Sequence, residues 1–317
     1  MPDRPETHAL RGSIAPLMTP FADDGGIDHE SLANAVHWQI ANGTHGLSIG
    51  GSTGEPSAQS VAERLAAIRT VVEASRRRVP VVPGTGTAKL NETIELTGQA
   101  AELGIDAALV ITPYYARPTQ EALYVWYRTV AGEFPDLPIL AYNVPSRTAV
   151  DLAPETVQRL FHEIPNFVGI KETTRDFEHF SRVRALAGPE IVILSGIELL
   201  CLPLLALGGQ GFLSATANIA PAAHAQLYDL WMSGDSAAAL DIHYGLHPLV
   251  DLIFTETNPA AGKWVLSELG VFKSAAVRPP LIPLTEAGRA TARTYWDQAR
   301  SYISPVPAEF DMGGTQT

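Results

Sequence analysis

The sequence predicts an α/β fold, a parallel (β/α)8 TIM barrel with a C-terminal helical appendage, and four observations carry this prediction. Short apolar runs alternate with longer amphipathic segments along the first two thirds of the chain. The runs recur about every 25 residues, as strands do in repeated strand–helix units. They are apolar throughout, which is typical of parallel strands buried on both faces. Eight such units in about 210 residues match the count and size of this barrel.

Strand-like and helix-like segments follow one another in order. The predicted strands are residues 13–18, 46–50, 79–83, 107–111, 138–142, 167–171, 191–195 and 211–215. The predicted helices between them are residues 29–41, 61–75, 90–103, 120–131, 154–162, 177–187 and 199–207. Asp28 and Ser60 stand where helix N-caps are expected, and Gly43, Gly104 and Gly188 stand where helices are expected to stop.

The alternation ends after Asn218, and the remaining segments are helical. They cover residues 223–231, 236–254, 260–269 and 286–303. The domain prediction is therefore a barrel over residues 1–220, a C-terminal helical region of the same globule over residues 221–303, and a flexible tail over residues 304–317.

Composition narrows the class of protein. Of the 317 residues, 46% are apolar and 18% are charged, which suits a large core and excludes a disordered chain. The net charge of −12 disfavours binding to nucleic acid or anionic membranes and favours a small-molecule partner. Cys201 is the single cysteine, so neither an intrachain disulfide nor a cysteine metal cluster is expected. With a polar N-terminus that is unlike a signal peptide, these features predict a cytoplasmic protein.

Active sites of such barrels lie at the C-terminal ends of the strands, which directs attention to Lys171. This lysine closes the sixth apolar run, where a buried ammonium group is costly unless it is paired or used. One interpretation is an ion pair with Glu172 or Glu198. The other is a Schiff-base nucleophile whose pKa is lowered by desolvation. Position alone does not separate the two.

Other polar groups follow neighbouring strands. The glycine-rich segment 50–55 carries two hydroxyls that suit a carboxylate, although it also suits a plain turn. Tyr114, Tyr115 and Tyr142 could relay protons or simply form an amphipathic rim. Arg147 could clamp a substrate carboxylate. Each of these residues taken singly is also compatible with a structural role.

Two further patterns are considered and disfavoured. Ser48 lies in a Gly-Leu-Ser-Ile-Gly sequence that resembles the nucleophile elbow of hydrolases, but a loop follows where the elbow needs a helix. His243 and His247 are spaced like metal ligands on a helix, but they lie outside the barrel without an evident third ligand. A solvated helix face is the favoured interpretation of this histidine pair.

Five motifs stand near strand ends in one order. They are Gly-Ser-Thr-Gly-Glu at 51–55, Pro-Tyr-Tyr at 113–115, Tyr-Asn-Val-Pro-Ser-Arg at 142–147, Gly-Ile-Lys-Glu at 169–172 and Gly-Gly-Gln-Gly at 208–211. With this combination the chain, over residues 10–300, resembles the dihydrodipicolinate synthase / N-acetylneuraminate lyase family of pyruvate-dependent class I aldolases.

The resemblance implies a role for each matching residue. Lys171 would form a Schiff base with pyruvate or another 2-keto acid, and Tyr142 would be the general acid/base. Ser52 and Thr53 would hold the pyruvate carboxylate. Tyr115, contributed by a partner subunit across a tight dimer interface, would complete a proton relay with Ser52 and Tyr142.

The resemblance also implies the partner substrate and the assembly. Arg147 would bind the carboxylate of an aldehyde, and the main-chain carbonyl of Leu213 would face the site. Members of the family are typically homotetramers built from tight dimers and use neither a metal nor an organic cofactor, so neither is expected here.

The chain departs from the biosynthetic synthase pattern at several positions. Ser52 replaces the usual first threonine, and Thr173-Thr174-Arg175-Asp176 follows the lysine motif in place of smaller residues. Residues 11–21, 177–179 and 196–203 resemble a branch assigned to catabolic aldolases, such as 2,4-dihydroxyhept-2-ene-1,7-dioate aldolase. Lysine-inhibited synthases usually carry histidines where this chain has Val61 and Arg64, so lysine inhibition is not expected.

The function predicted from sequence is therefore a Schiff-base lyase or aldolase that joins or releases pyruvate and a carboxylated aldehyde. Aspartate semialdehyde and succinic semialdehyde both fit Arg147, and an aromatic hydratase-aldolase is a further option. Two alternatives belong to other classes: a barrel that binds a 2-keto acid without turnover, and a serine hydrolase that uses Ser48.

Overall fold

A computed structural model describes residues 4–306 and contains a curled parallel sheet. Seven regular strands form it: β1 (Gly12–Pro16), β2 (Gly46–Ser48), β3 (Ala108–Ile111), β4 (Ile139–Asn143), β5 (Phe167–Glu172), β6 (Val192–Ser195) and β7 (Gly211–Phe212). They pair in the order β2-β1-β7-β6-β5-β4-β3, and every named pair is parallel. The two edges of this sheet are β2 and β3.

Residues 80–84 close the sheet into a barrel by bridging those two edges. The amide of Val82 donates to the carbonyl of Leu47 at 2.8 Å, and the amide of Leu109 donates to the carbonyl of Pro83 at 2.9 Å. The sequence predicts a regular strand here, but Pro80 and Pro83 have no amide hydrogen and interrupt the ladder. The segment therefore takes the place of the eighth strand through isolated bridges, and the predicted barrel is confirmed.

Helices alternate with the strands along the barrel region, and further helices follow the last strand. They are α1 (His29–Ala41), α2 (Val61–Ser75), α3 (Leu90–Glu102), α4 (Gln120–Glu133), α5 (Pro145–Thr148), α6 (Pro154–Glu163), α7 (Phe177–Ala187), α8 (Cys201–Ala206), α9 (Pro221–Ser233), α10 (Ser236–Gly245), α11 (His247–Ile253), α12 (Ala260–Glu268) and α13 (Glu286–Gln298).

The predicted helix ends are set by local chemistry. The Asp28 side chain accepts the amide of Ser31 at 3.0 Å, and Ser60 forms a reciprocal capping box with Glu63. Gly43, Gly104 and Gly188 all have positive φ, the backbone conformation in which helices commonly end.

Further predicted elements also differ in the structure. The helix expected over residues 236–254 is divided into α10 and α11, because Pro248 cannot donate the hydrogen bond that would continue α10. The strand expected over residues 211–215 ends at Phe212, and a 3-10 turn follows at Ala215–Asn218. The last helix ends at Gln298 and is followed by a 3-10 turn at Arg300–Tyr302.

The core has three clusters of buried apolar side chains. One fills the barrel interior, the largest lies between the strands and the outer helices, and the third joins the C-terminal helices to Phe212 on β7. Ser304 is buried, and its amide donates to the carbonyl of Ile219 at 3.2 Å. The rest of the predicted tail, residues 307–317, lies outside the described residues. Between residues 4 and 306, no helix has the length and apolar character needed to cross a membrane.

Candidate active site

An open cavity of about 400 Å³ lies at the C-terminal ends of the strands. Its wall combines the ends of β4 and β5, the turn after β2, and side chains of the C-terminal helical region. Six of the seven predicted site residues line it: Ser52, Thr53, Tyr142, Arg147, Lys171 and Leu213.

Lys171 and Tyr142 face each other because their strands are neighbours and their positions are in register. Both side chains are buried, and the Lys171 Nζ atom lies 4.2 Å from the centre of the Tyr142 ring. Successive side chains of a strand point to opposite faces, so Glu172 is directed away from Lys171 and contacts His179 instead. Within residues 4–306, Lys171 forms no ion pair with Glu172 or Glu198, so the ion-pair interpretation is not supported.

Gly196 leaves the space that the Lys171 side chain occupies. A Cβ atom at this position would lie 2.6 Å from Cε of Lys171 and would also collide with the methyl group of Thr173. Any side chain here would therefore displace the lysine. The φ of Gly196 is not in the left-handed region, so the backbone conformation does not require glycine here. Glycine is required because the Lys171 side chain occupies the adjacent space.

The glycine-rich segment forms a 3-10 turn over Ser52–Gly54 that brings two hydroxyls to the cavity. The Ser52 Oγ atom lies 3.3 Å from the Tyr142 Oη atom, so a proton can pass between the two hydroxyls. The Thr53 Oγ1 atom accepts a hydrogen bond from Nδ2 of Asn258 at 3.1 Å. The hydroxyls of Ser52 and Tyr142 therefore form one hydroxyl chain, and the Tyr142 ring lies beside the Lys171 amine.

Arg147 and Leu213 complete the predicted set in the cavity. Arg147 lies on α5, a single helical turn that begins with Pro145 directly after β4. Its side chain is exposed at the mouth, where a charged substrate would enter. Leu213 is buried, and its amide donates to the carbonyl of Ser195 at 2.7 Å, which fixes the chain between β7 and the following 3-10 turn.

Tyr115 is the exception, because the single chain does not bring it to the cavity. Its side chain is 93% exposed, and its φ of 74° is in the left-handed region, which is costly for a bulky residue. The preceding residue, Tyr114, lines a neighbouring cavity of about 270 Å³. An aromatic side chain held in strained backbone and exposed to solvent is typical of a contact made with another molecule.

The neighbouring cavity also contains Arg64, one of the two departures from the lysine-inhibited pattern. Its Nη2 atom donates to the carbonyls of Gly84 and Gly86 at 2.8 and 3.2 Å. Burial lowers the pKa of Arg64 to about 10, so it stays charged at neutral pH. Arg64 is therefore a fixed positive charge in the wall of this cavity.

A buried network lies behind the lysine, on the outer face of β5. His179 on α7 places Nδ1 3.2 Å from Glu172 Oε2, and Asn143 Nδ2 donates to Asp151 Oδ1 at 2.7 Å. Burial lowers the pKa of His179, but the hydrogen bond and charge of Glu172 and the charge of Asp151 outweigh this and raise it to about 9. Glu172 also accepts the amide of Thr174 at 2.6 Å, which ties down the loop after the lysine.

Sequence reasoning missed the contribution of the C-terminal helical region. Phe254, Asn258 and Val250 line the cavity although they lie after the last strand. The rule that directs attention to strand ends cannot find them, because they lie on α11 and in the turns that follow it. Arg175 and Glu198, noted in the sequence as departures or pairing partners, also line the cavity.

The carboxyl group of Glu198 is fixed and perturbed. Its Oε1 atom accepts the amide of Ala215 at 2.9 Å. Burial raises the pKa of Glu198, while that amide bond and the charges of Lys171 and Arg175 act in the opposite direction. The cavity therefore holds a carboxyl group that is influenced by the charges of two cationic side chains.

The two disfavoured patterns do not form sites. Ser48 is buried inside β2, and its hydroxyl makes no hydrogen bond within the described part of the chain. His243 is buried rather than solvated, and it lies on α10 while His247 begins α11, with their rings 5.1 Å apart in an edge-on contact. The solvated-face interpretation of His243 is therefore wrong. In the range 4–306, no group of three or more His, Cys, Asp or Glu side chains is arranged to hold a metal ion.

The family model of the dihydrodipicolinate synthetase family matches residues 9–299. The chain belongs to this family. It is 44% identical over 276 residues to 4-hydroxy-tetrahydrodipicolinate synthase of Thermus thermophilus, which covers 87% of this chain and 92% of the relative. It is 42% identical over 284 residues to the synthase of Syntrophobacter fumaroxidans, covering 90% and 97% of the two chains.

Solved structures of the family share the fold closely. A dihydrodipicolinate synthase from Acinetobacter baumannii, complexed with pyruvate, has a TM-score of 0.88 at 38% identity and covers 93% of this chain and all of that one. The synthase from Aquifex aeolicus has a TM-score of 0.88 at 35% identity, covering 92% and 99% of the two chains. Membership of the family makes the chain an enzyme, a class I lyase of the aldolase type, and confirms the resemblance read from the five motifs.

Proposed function

We propose that this enzyme joins pyruvate to a carboxylated aldehyde through a Schiff base on Lys171, with aspartate semialdehyde as the aldehyde. The observation that carries the proposal is the buried lysine, unpaired within the described residues, beside the Tyr142–Ser52 hydroxyl chain at the floor of an open cavity. The names of the relatives, 4-hydroxy-tetrahydrodipicolinate synthases, support aspartate semialdehyde as the second substrate.

The reaction begins when the unprotonated amine of Lys171 attacks the keto carbon of pyruvate. Loss of water gives a protonated imine, which withdraws electrons and lets the pyruvate methyl group release a proton. Tyr142 accepts or returns protons through Ser52, since the two hydroxyls are within hydrogen-bond distance. Thr53 and Ser52 hold the pyruvate carboxylate meanwhile.

The carbanion equivalent then attacks the aldehyde carbon, and a carbon–carbon bond forms. The aldehyde oxygen becomes an alkoxide and takes a proton from Tyr142. Arg147 at the mouth binds the carboxylate of aspartate semialdehyde. The Glu198 carboxylate pairs with the ammonium group of the same substrate. Hydrolysis of the imine, or displacement of the lysine by the product's own amine, returns Lys171 to its starting state.

The proposal includes a second subunit. Tyr115 is exposed and strained in the single chain, and we assign it to the hydroxyl chain of a partner's cavity across a tight dimer interface. A homotetramer of two such dimers is the assembly proposed from the resemblance.

Two assays with the wild-type enzyme test the chemistry and the substrate. In deuterated water, pyruvate alone should exchange its methyl protons, because the imine forms before the aldehyde binds. Among aspartate semialdehyde, succinic semialdehyde and o-hydroxybenzaldehyde, aspartate semialdehyde should give the highest kcat/KM. Absence of exchange would contradict the Schiff base, and preference for another aldehyde would contradict the assigned substrate.

An Arg147→Ala variant refines the substrate assignment. It should raise KM for the aldehyde at least about tenfold while KM for pyruvate changes little, since a charge-assisted bidentate contact is lost from one substrate only. Arg182→Ala is the matched control, because Arg182 is an exposed arginine that pairs with Glu178 away from the cavity. Equal effects on both substrates would show that Arg147 binds something else.

A catabolic aldolase that releases pyruvate and succinic semialdehyde is the second candidate. Arg175 favours it, because this cationic side chain lines the cavity where the biosynthetic pattern has a small residue. Such an enzyme would cleave 2,4-dihydroxyhept-2-ene-1,7-dioate faster than it condenses pyruvate with aspartate semialdehyde, so a direct comparison of the two rates separates the candidates.

A further inference from the structure

We propose that a buried ion pair between Lys263 and Glu55 positions the Ser52–Thr53 turn, so that the C-terminal helical region is part of the pyruvate-binding machinery. The proposal rests on the proposed function, because it assigns to Ser52 and Thr53 the pyruvate carboxylate. Lys263 and Glu55 do not themselves contact the reacting atoms in the proposed mechanism.

The pair connects two regions that are distant in sequence. Glu55 directly follows the Ser52–Gly54 turn and has a φ of 55°, in the left-handed region. Its Oε1 atom lies 2.5 Å from Nζ of Lys263 on α12, and its Oε2 atom accepts the amide of Arg278 at 3.0 Å. Both oxygens of the carboxylate are therefore held by the C-terminal region.

Because the pair is buried, we expect it to fix the position of the turn rather than to add net stability. The Lys263 side chain has no solvent exposure, and that of Glu55 is 2% exposed. Lys263 Nζ also donates to the carbonyl of Ala276 at 2.7 Å and lies 4.0 Å from the centre of the Phe21 ring. A buried pair recovers about what its desolvation costs, so its retention is better explained by the geometry that it fixes.

A second contact from the same segment reaches the turn itself. Asn258, five positions before Lys263, donates from Nδ2 to the Thr53 Oγ1 atom at 3.1 Å. Its Oδ1 atom is buried without a hydrogen-bond partner among the described residues, and Asn258 lines the cavity. The segment 258–263 therefore contacts the turn at Thr53 and again two residues later at Glu55.

Loss of the Lys263–Glu55 pair should weaken the binding of pyruvate more than the binding of the aldehyde. Displacing Glu55 would move Ser52 and Thr53 together, because only Gly54 separates Glu55 from Thr53. A shift on the order of 1 Å is enough to weaken binding and slow a positioned reaction markedly. The mouth residue Arg147 lies on α5 and does not depend on this pair.

The test uses the full-length enzyme with the double variant Lys263→Met/Glu55→Gln, which removes both charges and keeps both side chains large. The half-saturating pyruvate concentration should rise about tenfold in turnover and in borohydride trapping, while KM for the aldehyde at saturating pyruvate should change less than twofold. Lys273→Met is the matched control, because it breaks an exposed Lys–Glu pair of the same 2.5 Å length with Glu30. The control should match the wild type in both readouts.

Three results would overturn the proposal: an unchanged pyruvate requirement in the folded double variant, an equal rise for both substrates, or the same rise in the Lys273→Met control. If the double variant does not fold, the single variant Glu55→Gln is tested instead. A half-saturating pyruvate concentration within twofold of the wild-type value would then overturn the proposal. Wild-type trapping keeps the two proposals distinct. No trapping in the wild type refutes the Schiff base, whereas normal trapping with an unshifted variant refutes only the positioning role.

Discussion

At the scale of single residues, the site depends on two neighbouring strands that present a lysine and a tyrosine in register. Lys171 and Tyr142 are each buried, and neither would reach the cavity if its strand slipped by one position. Gly196 leaves room for the lysine side chain, and the Ser52 hydroxyl lies within hydrogen-bond distance of the tyrosine hydroxyl. The chemistry therefore follows from the register of the sheet.

Replacing Tyr142 by Phe should slow turnover by at least about a hundredfold, because a positioned proton-transfer group is lost while the ring is kept. Tyr127→Phe is the matched control. Tyr127 is also a buried tyrosine, but its hydroxyl donates to the carbonyl of Val110 away from the cavity. Steady-state kcat is the measurement, and a Tyr142→Phe rate close to that of Tyr127→Phe would refute the assigned role.

The sequence directed attention to strand-end residues that line the cavity, and it did so for a physical reason. A lysine at the end of an apolar run can be recognised because a buried charge needs an explanation, and the five motifs narrowed that explanation to one family. Asn258 and Lys263 could not be found in this way. Their roles depend on how α12 packs over the barrel mouth, and no local pattern encodes that packing.

At the scale of elements, turn and cap chemistry explains which boundaries were predictable. Asp28 and Ser60 satisfy amides of the helices that they precede, so α1 and α2 begin where the sequence indicates. The third predicted strand failed as a regular strand because Pro80 and Pro83 cannot donate to a ladder, although the chain still closes the barrel. The single turn of α5 is too short to leave a periodic signal.

The contact between β5 and α7 predicts a dependence of stability on pH. The pKa of His179 is raised to about 9 from an ordinary 6.5, so its protonated form is bound more tightly in the folded state. This stabilisation is complete below pH 6.5 and is lost as pH rises through about 9. Over that range, the wild type should lose about 3 kcal/mol of unfolding free energy relative to His179→Gln.

Denaturant unfolding at a series of pH values measures this difference, and His224→Gln provides the control. Burial lowers the pKa of His224 to about 4, so that histidine is neutral across the whole range. The difference between the wild type and His224→Gln should therefore stay flat from pH 6.5 to 9. A flat difference for His179→Gln as well would show that His179 is not charged in the folded protein.

At the scale of the whole molecule, the barrel and its helical appendage act together. The third apolar cluster joins the C-terminal helices to β7, and the segment between α11 and α12 supplies Phe254 and Asn258 to the cavity wall. The division at residues 220 and 303 stays a prediction, since the core is shared across the first boundary. We propose a still larger unit from Tyr115, because its side chain is exposed and its backbone is strained in the single chain.

Mixing two inactive variants tests that larger unit. Lys171→Met and Tyr115→Phe should each lose at least about 99% of activity, because each removes a reacting or proton-relaying group. If a partner subunit supplies Tyr115, a hybrid dimer contains one cavity with both native residues. Subunits dissociated and reassembled as a mixture should therefore recover up to about a quarter of wild-type activity, the statistical share of intact cavities.

The control for this experiment is each variant carried through the same procedure alone, which should stay inactive. No recovery in a mixture that is shown by mass spectrometry to contain hybrids would mean that Tyr115 acts within its own chain or not at all.

The most direct test of the account is reductive trapping of the intermediate. Borohydride added to the enzyme with pyruvate should attach reduced pyruvate covalently to one residue, and peptide mapping should place it on Lys171 at the end of β5. Lys171→Met should give no adduct under the same conditions. A wild-type enzyme that acquires no adduct at saturating pyruvate, or acquires it on another lysine, would contradict the central claim.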